Sequence, residues 1–284
     1  MAEVRLPSFM IIGAVKAATT WLAHQLRHHP ALWLPDAEPH FFSTEYHRGI
    51  DWYRSLFADA PADRLLGEKS ADYLAHPDAA ARIATTLPDV PLIIQLRNPV
   101  DRAYSDYCML YRRGLVGGDP RRYLDRQRSA NARFLDGGRY ALHLDRLFTH
   151  LPRSHVMVIL HDDVSRVPER VISDVCSHIG VDTYIADDLM SERRNDSRTP
   201  MLPLTVRRLL RPARPLLDPL RSHPLLSRAR ASIARPVRYP PLTAELRIML
   251  QDFYRDDVRA LGALLNRDLG AWLNAERAVP QGTT

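Results

Sequence analysis

The 284-residue sequence has only two cysteines, Cys108 and Cys176, and neither lies in a C-x-x-C pair or a His/Cys cluster. This scarcity indicates neither a disulfide framework nor a zinc site. The chain also lacks any run of roughly 18 uncharged apolar residues, and its first residues lack the apolar stretch of a signal peptide. These absences predict a cytoplasmic protein without a membrane span.

A Walker A sequence is also missing from the loop where one might be sought. Residues 9–12 form a short apolar run typical of a buried strand, and Leu22 and Leu26 show helical spacing. Between them Lys16 precedes Thr19 by three residues, whereas a Walker A lysine is adjacent to its serine or threonine. A strand entering a helix through such a loop directs backbone N–H groups, the helix dipole and the lysine at one point. We therefore expect a phosphate to bind there.

Acidic residues are scarce in one segment, which makes the net charge of +6 uneven. Residues 205–240 carry nine arginines and a single acid, Asp218, so this segment is +8 and the remainder is −2. Six prolines between residues 212 and 240 prevent the segment from forming one helix. We expect this segment to form a mobile basic lid over a binding cleft. The alternative is a nucleic-acid or membrane-surface binding protein acting through this segment, although a dedicated nucleic-acid binder would be basic more uniformly.

The order of apolar segments predicts the fold class. Further strands are predicted at residues 65–73, 90–96 and 155–160, and helices alternate with them. Such alternation is typical of βαβ units and a parallel sheet covered on both faces. We expect an α/β, P-loop-like, three-layer fold with a central parallel sheet flanked by helices. It should form one domain over residues 1–284, with the lid at 205–240 and a C-terminal helix at 242–273.

Three stretches together resemble a known family. Residues 13–20 read Gly-Ala-Val-Lys-Ala-Ala-Thr-Thr, residues 94–105 read Ile-Gln-Leu-Arg-Asn-Pro-Val-Asp-Arg-Ala-Tyr-Ser, and residues 38–42 read Glu-Pro-His-Phe-Phe. They resemble the 5′-phosphosulfate loop, the 3′-phosphate element R-N-P-x-x-R-x-x-S and the K-E-x-x-F-F stretch of sulfotransferases that use 3′-phosphoadenosine 5′-phosphosulfate (PAPS). Residues 67–70, 138–144 and 268–272 also resemble the heparan-sulfate-type and bacterial sulfotransferase-domain branch.

The resemblance implies that PAPS is the donor, that 3′-phosphoadenosine 5′-phosphate (PAP) is the product, and that no metal is used. The donor-binding residues that it implies come from the first loop, the 3′-phosphate element and residues 193–198. They are Lys16, Ala17, Ala18, Thr19, Thr20, Trp21, Arg97, Ser105, Asn195, Ser197 and Arg198. Arginine suits a dianionic phosphate because its guanidinium forms bidentate hydrogen bonds. Taken alone, however, Arg97 could form a salt bridge at a strand end.

Catalytic roles follow from the same resemblance. Lys16 would stabilise the bridging oxygen as the sulfuryl group leaves, and Glu38 would take the acceptor's proton as general base. His40 is the alternative base, since other branches use histidine, but we expect it to pack beside aromatic side chains. The alternative for Glu38 is a loop carboxylate paired with an arginine.

Acceptor binding is predicted for Glu38, Lys69, Tyr73 and Tyr140. Lys69 would contact the acceptor or the sulfuryl group, with an exposed surface lysine as the alternative. For Tyr140 the alternative is packing in the core. The acceptor would be a hydroxyl or amine of a carbohydrate or small molecule, such as a secondary metabolite. No nucleic-acid partner is expected, and the oligomeric state stays open.

Two residues depart from the family pattern. Ala18 replaces the usual loop glycine, so we expect a negative φ at this position. Ala37 replaces the lysine that normally precedes the glutamate, which removes one cation near the acceptor. A P-loop kinase is the rival enzyme. It would need Gly-Lys-Ser/Thr and a magnesium-binding carboxylate at a strand end, whereas the strand at 90–96 leads into Arg97.

Overall fold

One parallel sheet forms the centre of the computed structural model, which describes residues 5–128, 132–186 and 235–274. Its strands in these ranges are β1 (Phe9–Gly13), β2 (Leu32–Trp33), β3 (Leu65–Lys69), β4 (Leu92–Leu96) and β5 (Val156–Leu160). Their spatial order is β2-β3-β1-β4-β5, and every neighbouring pair is parallel. Parallel neighbours require crossover connections, and helices supply them here.

The helices lie on both faces of the sheet. In chain order the described ones are α1 (Thr19–His28), α2 (Gly49–Ser55), α3 (Ala79–Thr86), α4 (Pro99–Arg113), α5 (Arg121–Leu124), α6 (Arg133–Asp136), α7 (Tyr140–Phe148), α8 (His161–Arg166), α9 (Pro168–Ile179) and α10 (Ala244–Leu265). Short 3₁₀ turns occupy Tyr46–Arg48, Arg153–His155 and Gly270–Trp272. The predicted P-loop-like α/β fold with a parallel sheet between helices is confirmed.

Alternation along β1 explains the two apolar layers. Met10 and Ile12 point into a large cluster that includes side chains of α3, α4, α7 and α10. Phe9 and Ile11 point to the other face, into a smaller cluster with side chains of α1 and α9. Because successive strand residues face opposite sides, a strand buried on both faces must be apolar throughout, as this one is.

The predicted C-terminal helix at 242–273 is wrong in its length. Helix α10 ends at Leu265, because Asn266 adopts the left-handed conformation (φ 50°) that closes a helix. A separate 3₁₀ turn, Gly270–Trp272, follows, and Trp272 within it and Leu269 just before it are buried. The apolar spacing therefore reflected contact with the core and not helical continuity.

Strand β1 lies between β3 and β4, so the loops that follow these three strands leave the same edge of the sheet. Ligands of open parallel sheets bind at this carboxyl edge. No helix in the described ranges is both long enough and apolar enough to cross a membrane. The predicted lid lies outside the described residues except for 235–240, and Asn195, Ser197 and Arg198 lie outside them altogether.

Candidate active site

The loop from β1 to α1 forms a tight curl at the carboxyl edge. Its first amide, on Ala14, donates to the Gln95 carbonyl of β4 at 2.8 Å, and the Ala17 amide donates back to Ala14 at 3.1 Å. Helix α1 begins at Thr19, so the Thr19 and Thr20 amides have no carbonyl of a preceding helical turn to bond. The helix N-terminus therefore presents N–H groups and its positive dipole end to this edge.

The expectation of a negative φ at Ala18 is wrong. Ala18 has φ 68°, and Lys16 has φ 69°. Ala18 is the N-cap of α1, and its carbonyl accepts hydrogen bonds from the amides of Trp21 (3.0 Å) and Leu22 (3.5 Å). The left-handed backbone is thus required by the loop and the helix start, and alanine adopts it at a cost that glycine avoids.

Three cations lie near this loop. Burial lowers the pKa of Lys16, and the charges of Arg97 and Arg113 lower it further, while Asp106 opposes them. In the described ranges none of these three cations forms an ion pair with a carboxylate. Like charges held together without counterions are stabilised by a bound anion, so the group fits an anionic ligand.

Arg113 was not among the donor-binding residues predicted from the sequence. The Lys16 Nζ contacts the Met109 Sδ at 4.0 Å, one helical turn before Arg113 on α4. Ser105, Met109 and Arg113 follow one another at four-residue spacing and so lie on one face of α4. That spacing, starting from the predicted Ser105, was the signal available in the sequence.

Buried contacts hold Arg97 at the end of β4. The Tyr140 hydroxyl donates to the Arg97 carbonyl at 2.9 Å, and its ring meets Trp272 edge-on. The Asn98 side chain caps α4 by accepting from the Val100 amide, and donates to the Trp272 carbonyl at 3.1 Å. Tyr140 is fully buried, which agrees with the alternative that it packs in the core. Its hydroxyl holds the backbone of Arg97.

Lys69 connects the start of α1 to Glu38, the predicted base. It is the last residue of β3, its side chain is only 8% exposed, and it forms an ion pair with Glu38. Its Nζ also donates to the Thr20 Oγ1 at 3.3 Å, and the second Glu38 oxygen accepts from the Ala71 amide at 3.0 Å. The partner of Glu38 is therefore a buried lysine, and Lys69 is not a surface residue.

His40 does not pack among aromatic side chains as expected. Phe41 and Phe42 are buried, whereas the His40 side chain is 41% exposed and its Nδ1 lies 2.7 Å from the Asp72 Oδ1. The hydrogen bond to Asp72 raises the pKa of His40 against the opposing effect of burial. One atom that could ligate a metal ion in each of the Glu38, His40 and Asp72 side chains lies within 4.8 Å of those in the other two.

The loop that contains His40 is linked through Ser70 to the buried carboxyl group of Glu68. Glu68 is fully buried on β3, accepts hydrogen bonds from the Tyr53 hydroxyl and from the Ser70 Oγ (2.7 Å), and burial raises its pKa to about 7. Ser70 Oγ in turn accepts from the His40 amide at 3.0 Å. Tyr73, predicted to bind the acceptor, is 2% exposed and meets Phe42 edge-on, so in this structure it lies in the core.

The sequence and fold of the chain are similar to those of known sulfotransferases. A model of the sulfotransferase family matches residues 51–185. Human heparan sulfate glucosamine 3-O-sulfotransferase 6 is 33% identical over 190 residues, which cover 62% of this chain and 51% of that protein. Mouse bifunctional heparan sulfate N-deacetylase/N-sulfotransferase 3 is 28% identical over 300 residues, covering 96% of this chain and 32% of that protein. The chain thus spans about half or less of these curated relatives.

A solved structure extends the likeness over the whole fold. The sulfotransferase from Alicyclobacillus acidocaldarius superposes with a TM-score of 0.70 at 28% identity, covering 95% of this chain and 100% of that one. This chain belongs to the sulfotransferase family.

Proposed function

We propose that the chain transfers a sulfuryl group from PAPS to a hydroxyl or amine of a carbohydrate or small-molecule acceptor. The observation that carries this proposal is the convergence of Lys16, Arg97 and Arg113, without carboxylate partners in the described ranges, beside the N-terminus of α1. PAPS has anionic groups at both ends of an adenosine. It therefore needs two anion sites on one edge of a sheet, and the loops after β1 and β4 supply them.

The donor contacts divide between these two loops. The 5′-phosphosulfate would lie against Lys16, Thr19, Thr20 and the amides of the loop, where a helix N-terminus favours an anion. The 3′-phosphate would pair with Arg97 and accept from Ser105 one and a half turns into α4. Ala17, Ala18 and Trp21 shape the same loop. Asn195, Ser197 and Arg198 remain predicted contacts outside the described residues.

Transfer requires an in-line attack on sulfur and neutralisation of the charge that develops on the leaving oxygen. Lys16 would stabilise the oxygen that bridges sulfur and the 5′-phosphate. Lys69, beside Thr20, would neutralise the sulfuryl oxygens while it orients Glu38. Two neighbouring side chains can take the proton that the acceptor loses, Glu38, which is paired with Lys69, and His40. These cations come from side chains, so the proposal includes no metal.

The acceptor class rests on the relatives. The curated ones are named for sulfation of glucosamine in heparan sulfate or for N-sulfation of heparan sulfate. We therefore place a carbohydrate hydroxyl or amine first and a small metabolite second. The cleft that would receive it begins at Glu38 and His40, whose side chains are 31% and 41% exposed. We also propose one domain acting in the cytoplasm.

Calorimetry with nucleotides tests the donor site without knowledge of the acceptor. PAP should bind without metal, and adenosine 5′-phosphate should bind at least about a hundredfold more weakly, since it lacks two or three charge-assisted hydrogen bonds. Arg97→Ala should reduce PAP affinity to the level of adenosine 5′-phosphate. Arg170→Ala, which removes an exposed arginine of α9, is the matched control and should change nothing.

Two results would contradict the assignment. Equal affinity for PAP and adenosine 5′-phosphate would remove the 3′-phosphate site. Tight binding of ATP with magnesium, together with weak binding of PAP, would favour the kinase alternative.

A further inference from the structure

The sulfur of Met109 lies beside Lys16, the lysine proposed to bind the donor and to stabilise the leaving oxygen. The Lys16 Nζ donates to the Met109 Sδ at 4.0 Å. We propose that Met109 is an oxidation site, at which a peroxide converts the thioether into a sulfoxide and thereby weakens donor binding. This inference rests on the proposed sulfuryl transfer and adds a means of regulating it.

Met109 is the described methionine best placed for such an effect. Four of the seven methionines lie in the described ranges, namely Met10, Met109, Met157 and Met249. Met10 is 1% exposed within strand β1, whereas the other three are only partly buried and so can be reached by a small oxidant. Of these three, Met109 is the one whose sulfur accepts a hydrogen bond from a cation of the described chain.

The neighbouring thiol is less reactive than this thioether. Burial raises the pKa of Cys108 to about 11, so at neutral pH the group is a thiol and not the thiolate that peroxides attack. The sulfur of methionine carries no proton, so its oxidation does not depend on such an ionisation. Beside Lys16 we therefore expect peroxide to react at Met109 before it reacts at Cys108.

Oxidation changes what Lys16 can bind. A thioether sulfur is a weak acceptor, whereas a sulfoxide is polar and its oxygen is a strong acceptor. Met109 packs partly against the large apolar cluster, so its new oxygen needs a hydrogen-bond donor close by. The Lys16 ammonium is already in contact and forms no ion pair with a carboxylate in the described ranges. We therefore expect a charge-assisted hydrogen bond between the two side chains.

This new bond competes with the donor for the same ammonium. Lys16 is proposed to hold the 5′-phosphosulfate, and its bond to the sulfoxide draws it toward α4 and away from that anion. Ser105 and Arg113 lie four residues on either side of Met109, so the added oxygen lies on the face of α4 that carries both. Losing one charge-assisted hydrogen bond corresponds to about 10–10²-fold in donor affinity.

The reaction balances with hydrogen peroxide as the only co-reactant. A lone pair of the Met109 sulfur forms a bond to one peroxide oxygen while the O–O bond breaks. The second oxygen leaves as water with both protons, so sulfur is oxidised by two electrons and peroxide is reduced by two. Methionine sulfoxide reductases reverse the change, because two thiols become a disulfide while the added oxygen leaves as water.

Limited peroxide treatment of the full chain, followed by calorimetry with PAP, tests the proposal. Dithiothreitol is added after treatment, because it reverses sulfenic acids and disulfides but leaves sulfoxides in place. Mass spectrometry of peptides measures the oxidised fraction at each methionine. Once Met109 is mostly oxidised, PAP affinity should fall by about 10–10²-fold, and the two methionine sulfoxide reductases together should restore it.

Two matched variants locate the effect. Met109→Leu keeps an apolar side chain of similar volume without the sulfur, so peroxide should not lower its PAP affinity. Met249→Leu removes another partly buried methionine, on α10, and should remain sensitive to peroxide. Each variant is compared with its own untreated sample, so the effect of the substitution itself cancels.

Two measurements show whether the effect passes through Lys16. In Lys16→Ala, PAP binds more weakly before treatment, and oxidation of Met109 should cause little further loss. In the wild-type chain without nucleotide, NMR of the Lys16 side chain should show a higher pKa after oxidation, because the sulfoxide oxygen stabilises the ammonium. Met109→Leu should show no such change.

Four outcomes would overturn the proposal, and a fifth would overturn the proposed function instead. The proposal fails if PAP affinity stays constant with Met109 oxidised, or if Met109 stays reduced while Met157 and Met249 are oxidised. It also fails if Met109→Leu loses affinity as the wild-type chain does, or if Lys16→Ala shows the full further loss. If the untreated chain binds no PAP, the proposed function fails, and NMR of Lys16 alone then decides whether the sulfoxide binds this lysine.

Discussion

Lys16 and Ala18 both hold a left-handed backbone in the loop after β1, although neither is a glycine. Such a conformation costs roughly 1–2 kcal/mol per L-residue. The cost is accepted where the loop must curl to direct its amides and the Lys16 ammonium to one point. Two of the strained residues therefore lie in the loop of the proposed donor site.

Ala18→Gly should relieve this strain. The gain in the folded state, about 1 kcal/mol, is partly offset by the greater freedom of glycine in the unfolded chain, so the free energy of unfolding should stay equal or rise slightly. Ala260→Gly in the exposed interior of α10 is the control, and it should lose about 1 kcal/mol. Urea denaturation measures both. Equal losses in the two variants would show that Ala18 is unstrained.

Glu68 should make stability depend on pH near neutrality. Its pKa is raised by burial from 4.5 to about 7. Between these values the folded state binds more protons than the unfolded state, so the free energy of unfolding falls as pH rises through this window. The expected loss is on the order of 3 kcal/mol.

Urea denaturation at pH 5 and pH 8 checks this expectation. Glu68→Gln removes the titration and should lose much less stability between the two pH values than the wild-type chain. Glu169→Gln, in an exposed position on α9, should follow the wild-type chain. A wild-type chain as stable at pH 8 as at pH 5 would contradict a neutral Glu68 in the folded state.

Among the elements, the C-terminal turn Gly270–Trp272 contacts the start of helix α4 beside the proposed donor site. Asn98 begins α4 by capping its first amides, and its side-chain nitrogen binds the Trp272 carbonyl. Arg97 is the residue before this cap. The end of the described chain therefore helps to position a residue that lies nearly two hundred positions earlier.

Removing either of two helix caps allows an effect on stability to be distinguished from an effect on donor binding. Asn98→Ala and Thr243→Ala each remove a side chain that caps a helix, and each should cost about 1 kcal/mol of unfolding free energy. Only Asn98→Ala should also weaken PAP binding, because it releases the loop that carries Arg97. Calorimetry with PAP measures this difference. A similar loss of affinity in Thr243→Ala would show that the effect is global.

Elements with strong local patterns were predictable from the sequence. The runs that became β1 and β5 have no polar side chain, β4 has only Gln95, and α4 has both a proline start and helical spacing. The two-residue edge strand Leu32–Trp33 was missed because two residues carry no periodicity. The break after Leu265 was missed because apolar residues continue beyond it, and only the backbone of Asn266 reveals it.

At the scale of the whole molecule, the motifs of the proposed donor loops are evident in the sequence, whereas the contacts that hold the neighbouring side chains are not. Lys16, Arg97 and Ser105 lie in contiguous motifs whose residues are neighbours in sequence. The pairs Glu38–Lys69 and His40–Asp72 join two loops about thirty residues apart, so they depend on the docking of one loop on another. Local periodicity carries no information about such partners. For this reason His40 was expected in the core.

The uneven charge of the chain gives a separate expectation. Arginines of the segment 205–240 should retain the protein on duplex DNA at low salt, and the affinity should fall steeply as salt rises. Lys16→Ala should not change this retention, and saturating PAP should not displace the protein. Salt titration of DNA binding measures both. Displacement by PAP would show that DNA occupies the proposed donor site and would contradict binding through the basic segment.

The central position of β1 also bears on the kinetics of folding. The two anion sites proposed for the donor follow β1 and β4, which are about eighty residues apart in sequence and become neighbours only when the sheet forms. A partly folded chain therefore has no complete site, and contacts of such long range form late. A bound nucleotide then stabilises the native state but not the barrier that leads to it. It lengthens the lifetime of the folded enzyme without speeding its formation.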